Sequence, residues 1–390
     1  MDEEEGRNTE QEAMVELPKE IVTEILLRFP VKSLLRFKTA CKPWYSIINC
    51  PGFIKEHLNL SHAARYNQHK DFLGLTIPYT YASNPIVLHK EDSDGILHAK
   101  EFDFPYKLFV DDKYNIPVRV CNYCDGLICF IIPDHDRILV WNPSLPTEYK
   151  IIPSPRISRY ELAAMGYDRS SDDYKIVKVP SGCPIVEDYS SVVIFSLKNN
   201  SWSNKIISKR NSVSYYAPWL IYAKNGIHWI ATQCYEEDED IECIMYFDLA
   251  EESLDYMNSP SKNLICLVLM NYKESIAILG ENFEGQHELW VLENYCGMKS
   301  SWNKISSFNF IAPLSSNYSF TLNGEILVYK VKCWFSGYNA GKCWFSKYDA
   351  KDGSLKPVVV EDDKITYDAE CFYSLFGSPY VESLVSPRQL

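Results

Sequence analysis

Cys121 and Cys124 are separated by two residues, a spacing at which two thiols can form a redox couple or supply half of a tetrahedral zinc site. Neither a second C-x-x-C nor a histidine pair completes such a site, and Cys129 follows on an apolar strand pattern, so the pair is read as core packing. The eight histidines are dispersed without an HExxH, and His228 in NGIHWI falls on a strand. No GxxxxGK[ST], GxGxxG or GxSxG stretch is present to cradle phosphate or hold a nucleophile. The run Glu236, Glu237, Asp238, Glu239, Asp240 and Glu242 has carboxylates enough to imitate a metal site, but such runs are more often solvated loop tips. Here it joins a strand ending near Ala231 to one starting near Ile244, where it is also a candidate contact for a basic partner. In NSVSYYAPWL, Tyr215, Tyr216 and Trp219 form a candidate recognition loop, the alternative being an ordinary outer strand. The residues thus give no positive signal for a catalytic group, metal or cofactor.

The elements that would position these residues divide into two kinds. The chain has 390 residues, 46% hydrophobic and 14% aromatic, enough for a sizeable core. Its net charge of −13 argues against a general nucleic-acid binder, which must neutralise phosphates. Apolar runs such as Leu264 to Met270 fall far short of the roughly 20 residues that span a bilayer. The acidic start MDEEEGRNTEQEAMVE lacks the apolar stretch of a secretory signal, so an intracellular location, cytoplasmic or nuclear, with thirteen reduced cysteines is expected. The sequons at Asn59, Asn199 and Asn317 then read as chance matches.

Residues 17–60 carry a helical pattern. Ile21, Val22, Ile25, Leu26 and Phe29 share one face after Pro18, which suits a first helical turn, and Pro30 ends the run. Val31, Leu34, Leu35 and Phe37 predict a second helix, Trp44, Tyr45, Ile47 and Ile48 a third, and Phe53 to about Leu58 a last turn or helix. So short a module cannot bury all its apolar faces alone, so it is either a cap on the main domain or a docking element completed by another protein.

LPKEIVTEILLRFPVKSLLRFKTACKPWYSIINCPGFIKEHL resembles an F-box along its whole length. The resemblance implies binding to a Skp-type adaptor, and through it a cullin, in an SCF ubiquitin ligase. Carried to matching positions, it implies that Leu17, Pro18, Ile21, Ile25, Leu26, Pro30, Leu34 and Leu35 supply the adaptor-facing or module-core surface, with Trp44 as the largest anchor.

From about residue 70 short β-branched and aromatic runs alternate with Gly, Asn, Asp, Ser and Pro, predicting an all-β domain. One unit recurs, with markers at Leu88, Trp141, Phe195, Phe247, Trp290 and Tyr348, at intervals of 53, 54, 52, 43 and 58 residues. This is near the roughly 50-residue period of kelch blades and predicts a propeller of about six blades, with a twisted β-sandwich as the alternative. Asp125-Gly126, Asn225-Gly226 and Asn323-Gly324 read as tight hairpin turns. YVESLVS, residues 380–386, is expected to pair with an early strand and close the ring. The tandem KCWFSGYNAG/KCWFSKYDAK is expected to fold as a hairpin, the alternative being an extruded duplication.

CNYCDGL, WNPSLPTEYKIIP, MGYDRSSDDYKIVKV, FSLKNNSW, NGIHWIA, FDLAEES and NGEILVY, in this order, are similar to the F-box-associated (type 1) interaction domain of plant F-box proteins. ENYCGMKSSWNKI and the YVESLVS ending resemble the S-locus F-box and S-locus F-box-like group, whose members recognise S-RNases. The expected organisation is an acidic disordered tail at 1–16, an F-box at 17–60, a linker at 61–69, a β-propeller-like recognition domain at 70–386 and a tail at 387–390. The resemblance implies a non-catalytic substrate receptor. Rival readings are a propeller enzyme or glycan-binding lectin with a helical cap, and an F-box protein that only sequesters its target. Divided by domain, the charge is −6 on residues 1–16, +4 on 17–60 and −11 on the remainder. An acidic recognition domain would attract a basic target, and a basic S-RNase-like protein is one such substrate.

Overall fold

The computed structural model describes residues 17–67, 73–78, 86–91, 97–102, 119–132, 136–156, 160–181, 189–208, 213–214, 220–233, 241–272, 275–295, 297, 299–309, 317–320, 326–331, 343–348, 355–358, 372–375 and 381–390. Two compact units divide the chain at residue 60. The expected tail at 1–16 lies outside the described residues.

The first unit is built from α1 (Lys19–Leu27), α2 (Val31–Phe37), α3 (Lys42–Ile48) and the start of α4 (Pro51–Asn67). Prolines set the helix boundaries. The Pro18 carbonyl accepts the Val22 N–H at 3.1 Å, opening α1. Pro30, which has no N–H to extend α1, sits at φ −65°, ψ 154°, and its carbonyl accepts Ser33 and Leu34 at the start of α2. Leu26, Leu27, Val31, Leu34, Ile47, Ile48 and Phe53 are buried as the core of this unit. The last helix is longer than expected: α4 runs to Asn67, through most of the segment expected as a linker.

The second unit is a ring of β-sheets. β1 (Leu73–Pro78), β2 (Ile86–Glu91) and β3 (Leu97–Phe102) begin blade one; β4 (Arg119–Cys124), β5 (Leu127–Ile132), β6 (Arg137–Trp141) and β7 (Tyr149–Pro153) form blade two. Blade three is β8 (Tyr160–Asp168), β9 (Asp173–Ser181), β10 (Tyr189–Ser196) and β11 (Ser201–Ser208). In blade four, β12 (Val213–Ser214) and β13 (Ile221–Ala223) both pair with β14 (Gly226–Gln233), followed by β15 (Ile241–Asp248) and β16 (Ser253–Asn258). Blade five is β17 (Leu264–Tyr272), β18 (Ser275–Asn282), β19 (His287–Asn294) and β20 (Ser301–Phe308). Blade six is β21 (Asn317–Phe320), β22 (Ile326–Val331), β23 (Cys343–Tyr348) and β24 (Leu355–Val358), and β25 (Phe372–Leu375) returns to complete blade one. All pairings are antiparallel, and β25, β4, β8, β13, β17 and β21 adjoin one another in succession as the innermost strands. This is a six-bladed propeller, and each repeat marker lies on the third strand from the centre. The interval of 43 residues before Trp290 reflects short connections such as 273–274 and 283–286 between its strands.

The core lies between blades. Ile227, Trp229 and Ala231 of β14 pack with Val177, Val192 and Ile194 of blade three, while Ile230 on the opposite face packs with Ile276 and Ile278 of blade five. Burial on both faces explains why these strands read as continuous apolar runs instead of alternating with polar residues. In NGIHWI the turn residues are Lys224 and Asn225, at φ 49° and 62°. Gly226 is already the first residue of β14, and the Tyr246 ring fills the space a Cβ would need.

Two expectations are corrected. Residues 381–386 do not form the closing strand; β25 pairs with β1, from Leu75 opposite Leu375 to Pro78 opposite Phe372. The segment 381–386 is instead a buried non-strand stretch on blade two. Asn142 Nδ2 donates to the carbonyls of Ser383 (3.0 Å) and Val385 (2.8 Å), and the expected tail at 387–390 is held by Arg388 Nη2 on the Thr147 carbonyl and Lys150 Nζ on that of Leu390. β22 pairs with β23, Val331 opposite Cys343, which is the direction of the expected hairpin. The first copy of its tandem lies outside the described residues, as does Asn323-Gly324.

Candidate functional site

Residues carried over from the F-box resemblance separate into two groups. Leu26 and Leu34 are fully buried and belong to the helical core, and Leu35 is half-buried. Leu17, at 58% exposure, lies with Ile21 and Ile25 at four-residue spacing, all exposed; Pro18 and Pro30 are exposed as well. Trp44 is half-buried, its ring edge-on to Phe37 at 5.3 Å, and Phe37 is edge-on to Phe29 at 5.0 Å. Trp44 thus sits partly in the module core. Its neighbour Tyr45 is 56% exposed and, with Phe29, extends the exposed apolar set, a role the helical periodicity alone did not assign.

The propeller supplies inter-blade ties at the motifs that looked chemical. Cys124 and Cys129 are wholly buried in β4 and β5; burial, reinforced by Asp125, pushes the Cys124 thiol well above the ordinary range, and a sulfur hydrogen bond with Cys121, with burial second, does the same for Cys129. Such thiols stay protonated and pack as small apolar groups. Asn122, between Cys121 and Cys124, carries the polar work. Asn122 Nδ2 donates to the Met165 carbonyl and its Oδ1 accepts the Met165 N–H, both at 2.7 Å, joining the innermost strands of blades two and three. His228 is buried in β14 with its ring 4.8 Å from that of Tyr246, and burial holds its pKa down to about 3. It is therefore a neutral core residue, as the strand reading expected.

Lys175 is buried between blades three and four, where its Nζ meets Asp168 Oδ2 at 2.9 Å, Glu252 Oε1 at 3.1 Å and the Leu249 carbonyl at 2.7 Å. Burial alone would raise the Asp168 pKa, but hydrogen bonds from Ser171, Ser170 and Lys175 outweigh it and hold the carboxyl well below its usual range. The recurring tryptophans of the fourth strands also tie blades together. Trp202 Nε1 donates to the Pro153 carbonyl at 2.7 Å, and Trp302 Nε1 to that of Asn258 at 3.2 Å.

Tyr215, Tyr216, Trp219, Glu236, Glu237, Asp238, Glu239 and Asp240, the candidate target contacts, lie outside the described residues. Their position in the chain is nevertheless fixed by the strands around them. In sequence, residues 234–240 fall between the second and third strands of blade four, and residues 215–219 between β12 and β13. In an antiparallel blade the second-to-third connections leave at the same end as the connections to the next blade. The longest connections, 103–118, 332–342 and 359–371, all leave at that end, whereas the first-to-second turns at the opposite end include the two-residue turns 125–126 and 224–225.

A helical module with an unpartnered apolar row, followed by a six-bladed propeller, defines a modular interaction protein. Residues 14–56 match the F-box domain, and residues 95–387 match the F-box associated beta propeller domain. The chain belongs to the family of F-box proteins that carry this propeller domain. Similar proteins from Arabidopsis thaliana include putative F-box protein At1g47790, 29% identical over 76% of this chain and 72% of its own. F-box protein CPR1 is 27% identical over 77% of each chain, and F-box/kelch-repeat protein At3g23880 is 26% identical over 76% of this chain and 82% of its own.

Proposed function

We propose that this protein is the target-recognition subunit of an SCF-type ubiquitin ligase, with the F-box seated on a Skp-type adaptor and the propeller holding a protein marked for ubiquitination and proteasomal degradation. The observation that carries this reading is the sorting of the F-box side chains. Leu26, Leu34 and Ile48 close the helical core, and Leu17, Ile21 and Ile25 are left about half exposed outside it. Covering the exposed half of each is worth roughly half of the 1.5–3 kcal/mol for a whole side chain, and three of them with Tyr45 make an anchor set for an adaptor groove. The +4 charge of residues 17–60 favours an acidic adaptor surface.

The chain's part in the chemistry is proximity. Holding the target near the charged ubiquitin-conjugating enzyme, which the cullin brings, raises the effective concentration of target lysines. The protein acts in the cytoplasm or nucleus. The likeness of ENYCGMKSSWNKI to the S-locus group and the −11 charge outside the tail and F-box support a basic, S-RNase-like target.

The test is pull-down of a Skp-type adaptor by the full chain and by a Leu17→Ala, Pro18→Ala double variant. Loss of adaptor in the variant, with an unchanged melting profile, supports the reading; normal pull-down overturns it. Target half-life with and without a proteasome inhibitor separates degradation from sequestration.

A further inference from the structure

Among the described residues, Phe283 is the most exposed large apolar side chain, at 69%. It stands on the turn between β18 and β19, at the end of blade five from which the connections to neighbouring blades leave. The turn is tightly held. Asn282 Oδ1 accepts the N–H groups of Glu284 (3.0 Å) and Gln286 (2.9 Å), Asn282 N–H donates to the Gln286 carbonyl at 2.8 Å, and Gly285, at φ +78°, donates to the Asn282 carbonyl at 2.9 Å. Asn282 Nδ2 in turn donates to Glu288 Oε1, a carboxylate also bound by Lys304 and Trp290. Phe283 is thus presented on a backbone that loses little freedom when a partner covers it, which lowers the entropic cost of binding.

The surroundings specify the partner. Ile265, 43% exposed, pairs across the sheet with Glu281, two residues before Phe283, at the start of a β-bulge in β17. Glu281 and Glu284 flank the phenylalanine along the chain. Glu242, at the same end of blade four, reaches the bulge by accepting the Leu267 N–H at 3.2 Å. Lys262, in the connection entering β17, and Lys304, whose Nζ lies 2.6 Å from Glu288 Oε1, are the cations beside these carboxylates among the described residues. Two exposed apolar side chains beside the carboxylates of Glu242, Glu281, Glu284 and Glu288, against the ammoniums of Lys262 and Lys304, leave an acidic excess that complements an apolar residue flanked by lysines or arginines.

We infer that the Phe283 turn is a target-contact site of the propeller, taking a cationic protein segment whose apolar side chain covers Phe283 and Ile265. The inference rests on the reading of the propeller as the target-binding half and names where on it the target sits.

The experiment uses the full chain and a short fluorescein-labelled peptide carrying one phenylalanine flanked by lysines, with a glutamate-flanked peptide as control, followed by fluorescence anisotropy. The lysine peptide is expected to bind, more weakly as salt rises, and Phe283→Ser to weaken it about tenfold or more. Glu281→Gln with Glu284→Gln is expected to flatten the salt dependence while leaving the melting profile unchanged. Failure of the wild type to bind, equal binding of the glutamate peptide, or a Phe283→Ser change below about twofold overturns the inference. So does a self-associated chain that Phe283→Ser dissociates in light scattering, since the turn would then be a contact between copies. Adaptor pull-down on the same preparations reports on the receptor reading separately, because Phe283 is far in sequence from the F-box.

Discussion

Asn122 and Met165 exchange two hydrogen bonds of 2.7 Å, the side-chain amide of one residue pairing with both main-chain groups of the other. A side chain here takes the place of a strand neighbour, and does so between blades, where among the described residues no ladder joins β4 to β8. Replacing Asn122 by Leu keeps the size but orphans the N–H and carbonyl of Met165. Each buried group left without a partner costs about 1–3 kcal/mol. Asn122→Leu is therefore expected to lower the denaturation midpoint of the propeller substantially, measured by urea unfolding, whereas Cys124→Ala two positions away costs only the packing of a small side chain.

The Lys175 cluster is the second inter-blade tie. Lys175→Met leaves Asp168 charged, buried and deprived of its cation, a change that costs about 3–5 kcal/mol for a broken buried pair. Because the Asp168 carboxyl is held below its ordinary range, its contribution is fully present above the unfolded carboxylate pKa of about 4 and fades as pH falls below that. The loss from Lys175→Met should accordingly be large at neutral pH and shrink in acid, read from urea midpoints across the two conditions.

His228 acts in a different window. Neutral when folded and protonated below about pH 6.5 when unfolded, it makes the unfolded state bind more protons as pH drops toward about 3. Stability should decline over that interval, and His228→Phe should flatten the decline between about pH 6 and 4.5 whatever it does to the absolute midpoint. An unchanged slope in the variant would show that His228 is not the titrating group.

Gly126 combines two demands. Its φ is +83°, and a Cβ there would stand 2.5 Å from Ser383 Oγ and 2.6 Å from the Val381 carbonyl. Gly126→Ala is expected to cost more than the roughly 1–2 kcal/mol of a left-handed alanine, because it also pushes residues 381–383 off blade two. Asn142→Ala, which removes the amide holding Ser383 and Val385, should expose the same segment to limited proteolysis while leaving the β25–β1 pairing in place.

In the F-box, the exposed and buried leucines should part company. Ile21→Ser with Ile25→Ser is expected to abolish adaptor binding with little change in melting, since neither side chain packs in the core. Leu34→Ala should instead destabilise the helical unit by about 2–5 kcal/mol, the usual loss for a buried leucine. Circular dichroism melts beside adaptor pull-down check both.

How much of this was legible in the sequence varies with how local the signal is. The blade markers from Leu88 to Tyr348 all land on third strands because each repeat carries the same local sequence of strand, turn and strand. The closing strand was misplaced because FYSL, at 372–375, and YVESLVS look alike to any test of apolar pattern; only the room left at Gly126 and the amide of Asn142 decide which one lies flat on blade two. The F-box resemblance put Leu17, Ile21, Leu26 and Leu34 in one set but could not separate them, since which face stays bare depends on how four helices share a small core. The Asn122 tie was hidden by its cysteine neighbours, whose spacing invited a chemical reading. Phe283 gave no signal at all, because an apolar residue in a turn becomes informative only once its exposure is known.

Blade one draws β1, β2 and β3 from the start of the propeller and β25 from nearly three hundred residues later. During synthesis, then, β1 must wait with an unpaired edge while the other five blades emerge, and the ring cannot lock until the last part of the chain leaves the ribosome. A nascent chain stopped before residue 372 would carry the very edge that invites pairing with a neighbour, so this protein's exposure to misassembly is set by the final stretch of translation.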